Sequence, residues 1–221
     1  MRFEVGFPAN GRTINAQELE KILLDFLPQI VKKCLYYQAW DKRLVQEGFE
    51  LAENQQKIRE VLEERKLVAF CANGSILPRK SGVSSQPLKD AVAFESPKSM
   101  ELAIDLPFGG SIFGMGIPEG VTLIIGGGYH GKSTLLQALE QGVYNHVKGD
   151  GREYVITRAN ALKLRAEDGR AVSNLDLSLF IHDLPNGKDT HCFSTEDASG
   201  STSQAANVIE SIGSGNTGVP D

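Results

Sequence analysis

GGGYHGKST, residues 126–134, is the stretch on which the reading of this chain turns. From Gly126 through Ser133 it satisfies G-x-x-x-x-G-K-[ST], and Thr134 follows. Before it stands VTLII, residues 121–125, a β-branched apolar run that predicts a strand. After it, residues 135–143 have helical spacing and good helix formers. Strand, glycine-rich loop and helix are the context in which this motif has a mechanism. Gly126, Gly127, Gly128 and Gly131 let backbone N–H groups converge on phosphate oxygens, and Tyr129 and His130 complete the loop. The helix N-terminus adds partial positive charge at the same point. Lys132 is suited to neutralise β- and γ-phosphate charge, and Ser133 offers a hydroxyl to Mg²⁺. A glycine-rich turn with a surface lysine is the alternative, and it accounts for neither flank. The pattern predicts binding of a nucleoside triphosphate with Mg²⁺.

Composition sets the bounds. The chain has 221 residues, 41% hydrophobic and 23% charged, as soluble globular proteins do. A net charge of −5 argues against a globally basic nucleic-acid surface and leaves room for a local patch. Cys34, Cys71 and Cys192 show no C-x-x-C spacing and read as reduced thiols. His182, His191 and Cys192 match no familiar metal-ligand spacing. No apolar run is long enough to span a bilayer, so the sequence predicts a soluble, cytoplasmic protein without a membrane partner.

Working outward toward the N-terminus, residues 91–118 read as short β-type pieces broken by proline and glycine. Residues 72–88, ANGSILPRKSGVSSQPL, are a long polar segment around Arg79 and Lys80. Such a segment is either a connector or a functional loop whose two cations meet phosphates of nucleotide or nucleic acid. LVAFC, residues 67–71, predicts a buried strand, and residues 42–65 a helix with Leu44, Val45, Leu51, Ile58, Val61 and Leu62 along its apolar stripe. Asn15 three residues before Glu18 is a capping-box arrangement. The helix it opens should bury Leu19, Ile22, Leu23 and Phe26, and Pro28 should kink or divide it. In the other direction, residues 153–157 read as a strand and 161–165 as another short one. Residues 184–190 and 194–204 read as loops, and 205–212 as helix-compatible. The second loop, rich in serine, is either a linker with a good N-cap or a second anion site at a helix N-terminus.

Several of these stretches carry a resemblance. GMGIPEGVTLIIGGGYHGKSTLLQALE, GDGREYVIT, RAEDGR, LPNGKDT and STEDASGSTSQAANVIE resemble the predicted ATPases of the ABC class, and FPANGRTI with FCANGSILPRKSGVS resembles that family's N-terminal domain. The resemblance implies an α/β P-loop NTPase core of the ABC-ATPase type with a smaller α+β N-terminal domain. We divide the chain into residues 1–98, an accessory domain, 99–212, the nucleotide-binding domain, and 213–221, a flexible tail. It further implies ATP binding and hydrolysis, with an RNA-related role suggested for the family. It also implies a homodimer that sandwiches two nucleotides, with Ser199, Gly200 and Ser201 at the signature position reaching the partner's nucleotide.

The departures from the family pattern matter as much. No glutamine occurs between Gln141 and Gln204, so the usual metal- or water-organising glutamine is absent. Glu167 and Asp168 are the candidates for that role, and the catalytic residues are otherwise unknown. The resemblance calls for a hydrophobic strand ending in Asp and Glu after the signature helix, where this sequence reads GSGNTGVPD, residues 213–221. The expectation is a truncated, rearranged or split product with an incomplete core sheet, in which binding survives and hydrolysis belongs to the complete protein. Two alternatives stand beside that reading: a nucleotide-dependent switch without turnover, and an ATP-regulated RNA- or DNA-binding protein.

Overall fold

Asn15 opens the first helix as the sequence predicts, its Oδ1 accepting from the Glu18 N–H at 3.3 Å. The computed structural model describes residues 4–183, 187 and 189–213. The chain divides into two compact units, residues 1–49 and 50–221. In the first, a two-residue antiparallel pair, β1 (Ala9–Asn10) and β2 (Thr13–Ile14), precedes α1 (Ala16–Glu20). A π-helical segment, Lys21–Phe26, leads into α2 (Leu27–Cys34), with Pro28 in its first turn where a missing N–H is tolerated. The expected buried face does not form. No residue of these helices is buried, and Leu23 and Phe26 are 41% and 52% exposed, because a unit this short encloses little interior.

The second unit is built around β3 (Leu67–Ala72), reached from α3 (Lys42–Glu64). β3 lies inside a four-stranded sheet of order β4-β5-β3-β6, with β4 (Glu101–Leu106), β5 (Gly110–Pro118) and β6 (Val155–Thr157). Successive side chains of a strand point to opposite faces, and here both faces are covered. Phe70 and Ala72 join Ile58, Val61 and Leu62 of α3 on one side. Ala69 and Cys71 join Ala138 and Leu139 of α4 (Lys132–Gln141) on the other. That explains why β3 is apolar throughout instead of alternating. Two polar residues of α3 are also buried: Asn54 clamps Phe108 by accepting from its N–H at 3.0 Å and donating to its carbonyl at 2.9 Å. Gln55 Nε2 donates to the carbonyls of His146 and Glu153.

A separate pair, β7 (Arg170–Leu175) and β8 (Phe193–Ala198), packs with α5 (Gly200–Gly213) around Val172, Leu177, Phe193 and Ala206. The Arg170 guanidinium donates to both carboxylate oxygens of Glu210, at 2.6 and 2.5 Å, and ties β7 to α5.

Three sequence expectations are corrected here. Residues 121–125 lie outside any strand, with Val121 fully and Leu123 and Ile125 78% exposed, and every described strand pairs antiparallel. A strand becomes regular only when a neighbour takes its hydrogen bonds, and no described strand runs beside this segment. Residues 161–165 likewise form no strand. Residues 194–198, read as loop, belong to β8, and the helix read at 205–212 begins at Gly200. Residue 98 falls between β3 and β4, which share one sheet, and the compact units part at 49/50. The tail at 214–221 and part of the loop at 184–190 lie outside the described residues.

Candidate functional site

The glycine-rich loop leads into α4, and α4 is held from its far end. Ala138 and Leu139 are buried, Thr157 Oγ1 donates to the Leu139 carbonyl at 2.7 Å, and the Thr157 N–H donates to the Gly142 carbonyl at 2.9 Å. Gly142 permits that approach, since a Cβ there would stand 2.7 Å from Thr157 Oγ1 and 2.9 Å from the Val155 carbonyl. The N-terminus of α4 is thereby fixed relative to the sheet and points into the loop.

Gly131 is the N-cap residue at φ +81°, a left-handed conformation, and no side chain caps the helix. The first N–H groups of α4 are therefore donors without an intrahelical acceptor. Gly126 (φ +155°) and Tyr129 (φ +59°) bend the loop back over them. The His130 ring lies against Gly127, where an added Cβ would sit 2.8 Å from Nδ1. Lys132 Nζ donates to the Gly126 carbonyl at 2.6 Å and to the Gly127 carbonyl. These carbonyls hold the ammonium inside the loop. Ser133 is exposed one residue into the helix, and Thr134 is half-buried. A glycine cradle, uncapped donors, one ammonium and one hydroxyl fit a Mg²⁺-bound polyphosphate.

Beside the loop lies a cavity of about 480 Å³. Its lining includes His130, Lys132 and Thr134 from the loop and α4, and Leu77, Pro78, Val92 and Phe94 from the segment between β3 and β4. Sequence reading assigned none of the latter four to the site. They come from two ends of an irregular segment more than thirty residues away from the motif, and no periodicity links them.

The structure separates Arg79 from Lys80. Arg79 pairs with Asp150 at 2.9 Å, and the two side chains are only 10% and 13% exposed. It also donates to the Asp150 carbonyl at 2.6 Å. Its charge is thus committed internally, and it is not a free phosphate contact. Lys80 is exposed. Asp150 Oδ2 further contacts His146 Nδ1 at 2.5 Å. In the neutral ring Nδ1 carries the proton donated to Asp150, and Nε2 is a buried acceptor with no partner among the described residues. Burial holds the His146 pKa below its ordinary value, against the opposing pull of Asp150. Arg152 is 2% exposed and donates to the Leu77 carbonyl through Nε at 3.0 Å and through Nη2. Cys71 lies nearby in the sheet, its thiol pushed up to about 12 by burial, and is inert as a nucleophile.

Ser199, Gly200 and Ser201 lie at the start of α5. The Ser203 N–H donates to the Ser199 carbonyl at 2.9 Å, and Ser199 Oγ lies 3.0 Å from Thr202 Oγ1. Glu167 and Asp168 come to this same place: the Glu167 N–H donates to Ser203 Oγ at 2.8 Å, and Asp168 Oδ1 is 3.0 Å from where a Cβ on Gly200 would stand. The structure therefore unites the two acidic candidates with the serine-rich turn. Neither lines the cavity beside Lys132.

Comparisons with known proteins agree with this geometry. Residues 41–219 match the family profile described as the P-loop domain of ABC ATPases, and residues 1–38 match the one described as the N-terminal region of ATPases of the ABC class. An uncharacterized protein of Methanocaldococcus jannaschii is 36% identical over 142 residues, a stretch covering 61% of this chain and 32% of that protein. The match thus spans about a third of the relative's length. No helix among the described residues is long and apolar enough to cross a membrane.

Proposed function

This chain belongs to the ABC-class P-loop ATPases, and from that premise we propose that it binds ATP with Mg²⁺ through residues 126–134. The observation that carries the reading is the left-handed Gly131 opening an uncapped helix, with Lys132 turned onto the loop's own carbonyls. Backbone N–H groups of the loop and of the first turn of α4 take the phosphate oxygens, Lys132 balances their charge, and Ser133 supplies a Mg²⁺ ligand. Ser199, Gly200 and Ser201 form the complementary element, donated to the nucleotide of a second copy in a head-to-tail homodimer. Their position at an exposed helix start supports this assignment. Hydrolysis is a property of the complete assembly, where water and metal are both positioned. Glu167 and Asp168 are acidic candidates beside that element, the Glu167 N–H donating to Ser203 Oγ and Asp168 Oδ1 lying close to Gly200.

Lys132→Ala tests the reading. The side chain's two hydrogen bonds go to exposed loop carbonyls, so its loss leaves the core untouched. Binding of a fluorescent ATP analogue should weaken at least about tenfold, the scale of one charge-assisted contact, while the thermal midpoint stays put. Equal affinities of the two forms refute the site.

A further inference from the structure

The helical run of the first unit keeps an apolar face that is nowhere buried. α1, the π-helical segment and α2 join through residues in the right-handed helical conformation, so residues 16–34 form one helix. The Leu27 N–H donates to the Ile22 carbonyl, five residues back, and this wider turn stacks Ile22 against Leu27 where an ordinary α-helical turn would carry them apart. The face so made holds Leu19, Ile22, Leu23, Phe26, Leu27 and Ile30. Leu23, Phe26 and Ile30 are exposed, and the other three are half-buried. Contiguous apolar surface of this kind marks an interaction site. Two further features say what fits it. The six apolar positions read the same in both directions: Leu19 and Ile30, Ile22 and Leu27, and Leu23 and Phe26 are each equidistant from a midpoint between Leu24 and Asp25. The charge also changes sign along the helix. Residues 16–25 carry Glu18, Glu20 and Asp25 against Lys21, whereas residues 27–34 carry Lys32 and Lys33 and no acid. Acid early and base late suits a helix dipole, but the dipole asks for no symmetry among the apolar positions.

We propose that this face is a self-association surface: two copies of the chain pair their residues 16–34 antiparallel about a two-fold axis, without nucleotide. An isologous contact requires a self-complementary patch, in which residue i meets j and j meets i. Reversal about the midpoint supplies it. Leu19 meets Ile30 of the second copy, Ile22 meets its Leu27, and Leu23 meets its Phe26, each contact occurring twice. The same reversal brings Glu20 alongside Lys32 of the second copy and Glu18 alongside its Lys33. Those pairs are within about one helical turn of exact register, roughly 5 Å, which long side chains span. A parallel pair would instead set acid against acid and lysine against lysine. Glu18 already pairs with Lys21 of its own helix at 2.8 Å. Glu20 and Lys32 have no acid or base three or four places away, so neither is balanced by an intrahelical neighbour. The phosphate loop and the serine-rich turn belong to the second unit, so this contact is independent of the nucleotide-sandwich arrangement.

Sedimentation equilibrium of the full chain, in buffer free of nucleotide and Mg²⁺, tests the proposal. A monomer–dimer equilibrium is expected, and it should weaken as salt rises from about 0.05 to 0.5 M and screens the paired ends. Phe26→Ser, at an exposed position, should weaken the dimer at least about tenfold and leave the thermal midpoint in place. Lys32→Glu should weaken it at least about threefold, since both symmetric contacts turn repulsive. Adding Glu20→Lys to Lys32→Glu reverses the pair and should bring the affinity back to within about twofold of wild type. That rescue distinguishes contact between copies from a loss of helix stability. A chain that stays monomeric to about 100 μM overturns the proposal. So does a dimer that forms only with Mg-ATP, one that Phe26→Ser leaves unchanged, one that salt strengthens, or one that the double reversal fails to restore.

Discussion

Replacing Arg79 with methionine should unfold this protein more readily by about 3 kcal/mol, although the neighbouring Lys80 can be removed at almost no cost. Arg79 and Asp150 are paired at 2.9 Å with side chains 10% and 13% exposed, so water does little to screen either charge. Breaking such a pair from one side typically costs about 3–5 kcal/mol, because the remaining charge stays buried. Asp150 keeps His146 at 2.5 Å, which places the loss at the lower end of that range. Methionine retains much of the arginine stem's apolar contact, so the effect reports the charge and its donors. For a domain of this size each kcal/mol moves the melting midpoint about 2–4 °C, giving a drop of about 6–12 °C. Lys80→Ala, at an exposed position, should stay within about 0.5 kcal/mol. Calorimetry and urea titration of Arg79→Met, Asp150→Asn and the double variant complete the experiment. The double variant should cost clearly less than the sum of the singles. An Arg79→Met protein as stable as Lys80→Ala, with additive behaviour toward Asp150→Asn, refutes the buried cluster and returns Arg79 to the surface.

The same cluster sets a pH dependence: burial lowers the folded-state pKa of His146 below 6.5, so the unfolded chain takes up the proton more readily than the folded one. Its contribution to stability is intact above about pH 6.5, declines as pH falls through that value, and levels off below the folded pKa. Asp150 and the cationic Arg79 and Arg152 face the ring, and urea midpoints between about pH 8 and 5 should slope less steeply in His146→Gln than in the wild type. Gly114→Ala should destabilise the sheet by about 3 kcal/mol, since a Cβ on β5 would lie 2.4 Å from the Cys71 carbonyl oxygen and 2.7 Å from Ala72 Cα, both backbone atoms of β3. A thermal midpoint within about 2 °C of wild type contradicts that geometry.

The local elements were legible in the sequence because local physics determines them. The Asn15 cap, the helix at 42–64, the strand at 67–72 and the phosphate loop with its helix all follow from spacing, capping and glycine placement within about ten residues. The family resemblance came from the same kind of local signal, and the matches over residues 1–38 and 41–219 agree with it. What the sequence left open involves partners distant along the chain. Arg79 and Lys80 are adjacent and alike in charge, and only the approach of Asp150, seventy-one positions away, makes one internal and leaves the other in solvent. Residues 121–125 have every strand preference, yet a strand needs a neighbour to accept its hydrogen bonds, and pairing belongs to the assembled sheet. Asn54 and Gln55 lie off the apolar stripe read for α3, yet they are buried because the carbonyls of Phe108, His146 and Glu153 satisfy them. Sequence by itself determined the glycine-rich loop and the helix it opens, since both are local. Only the tertiary structure decided what stands beside that loop, because Leu77, Pro78, Val92 and Phe94 come to line the same cavity through contacts that close over distance.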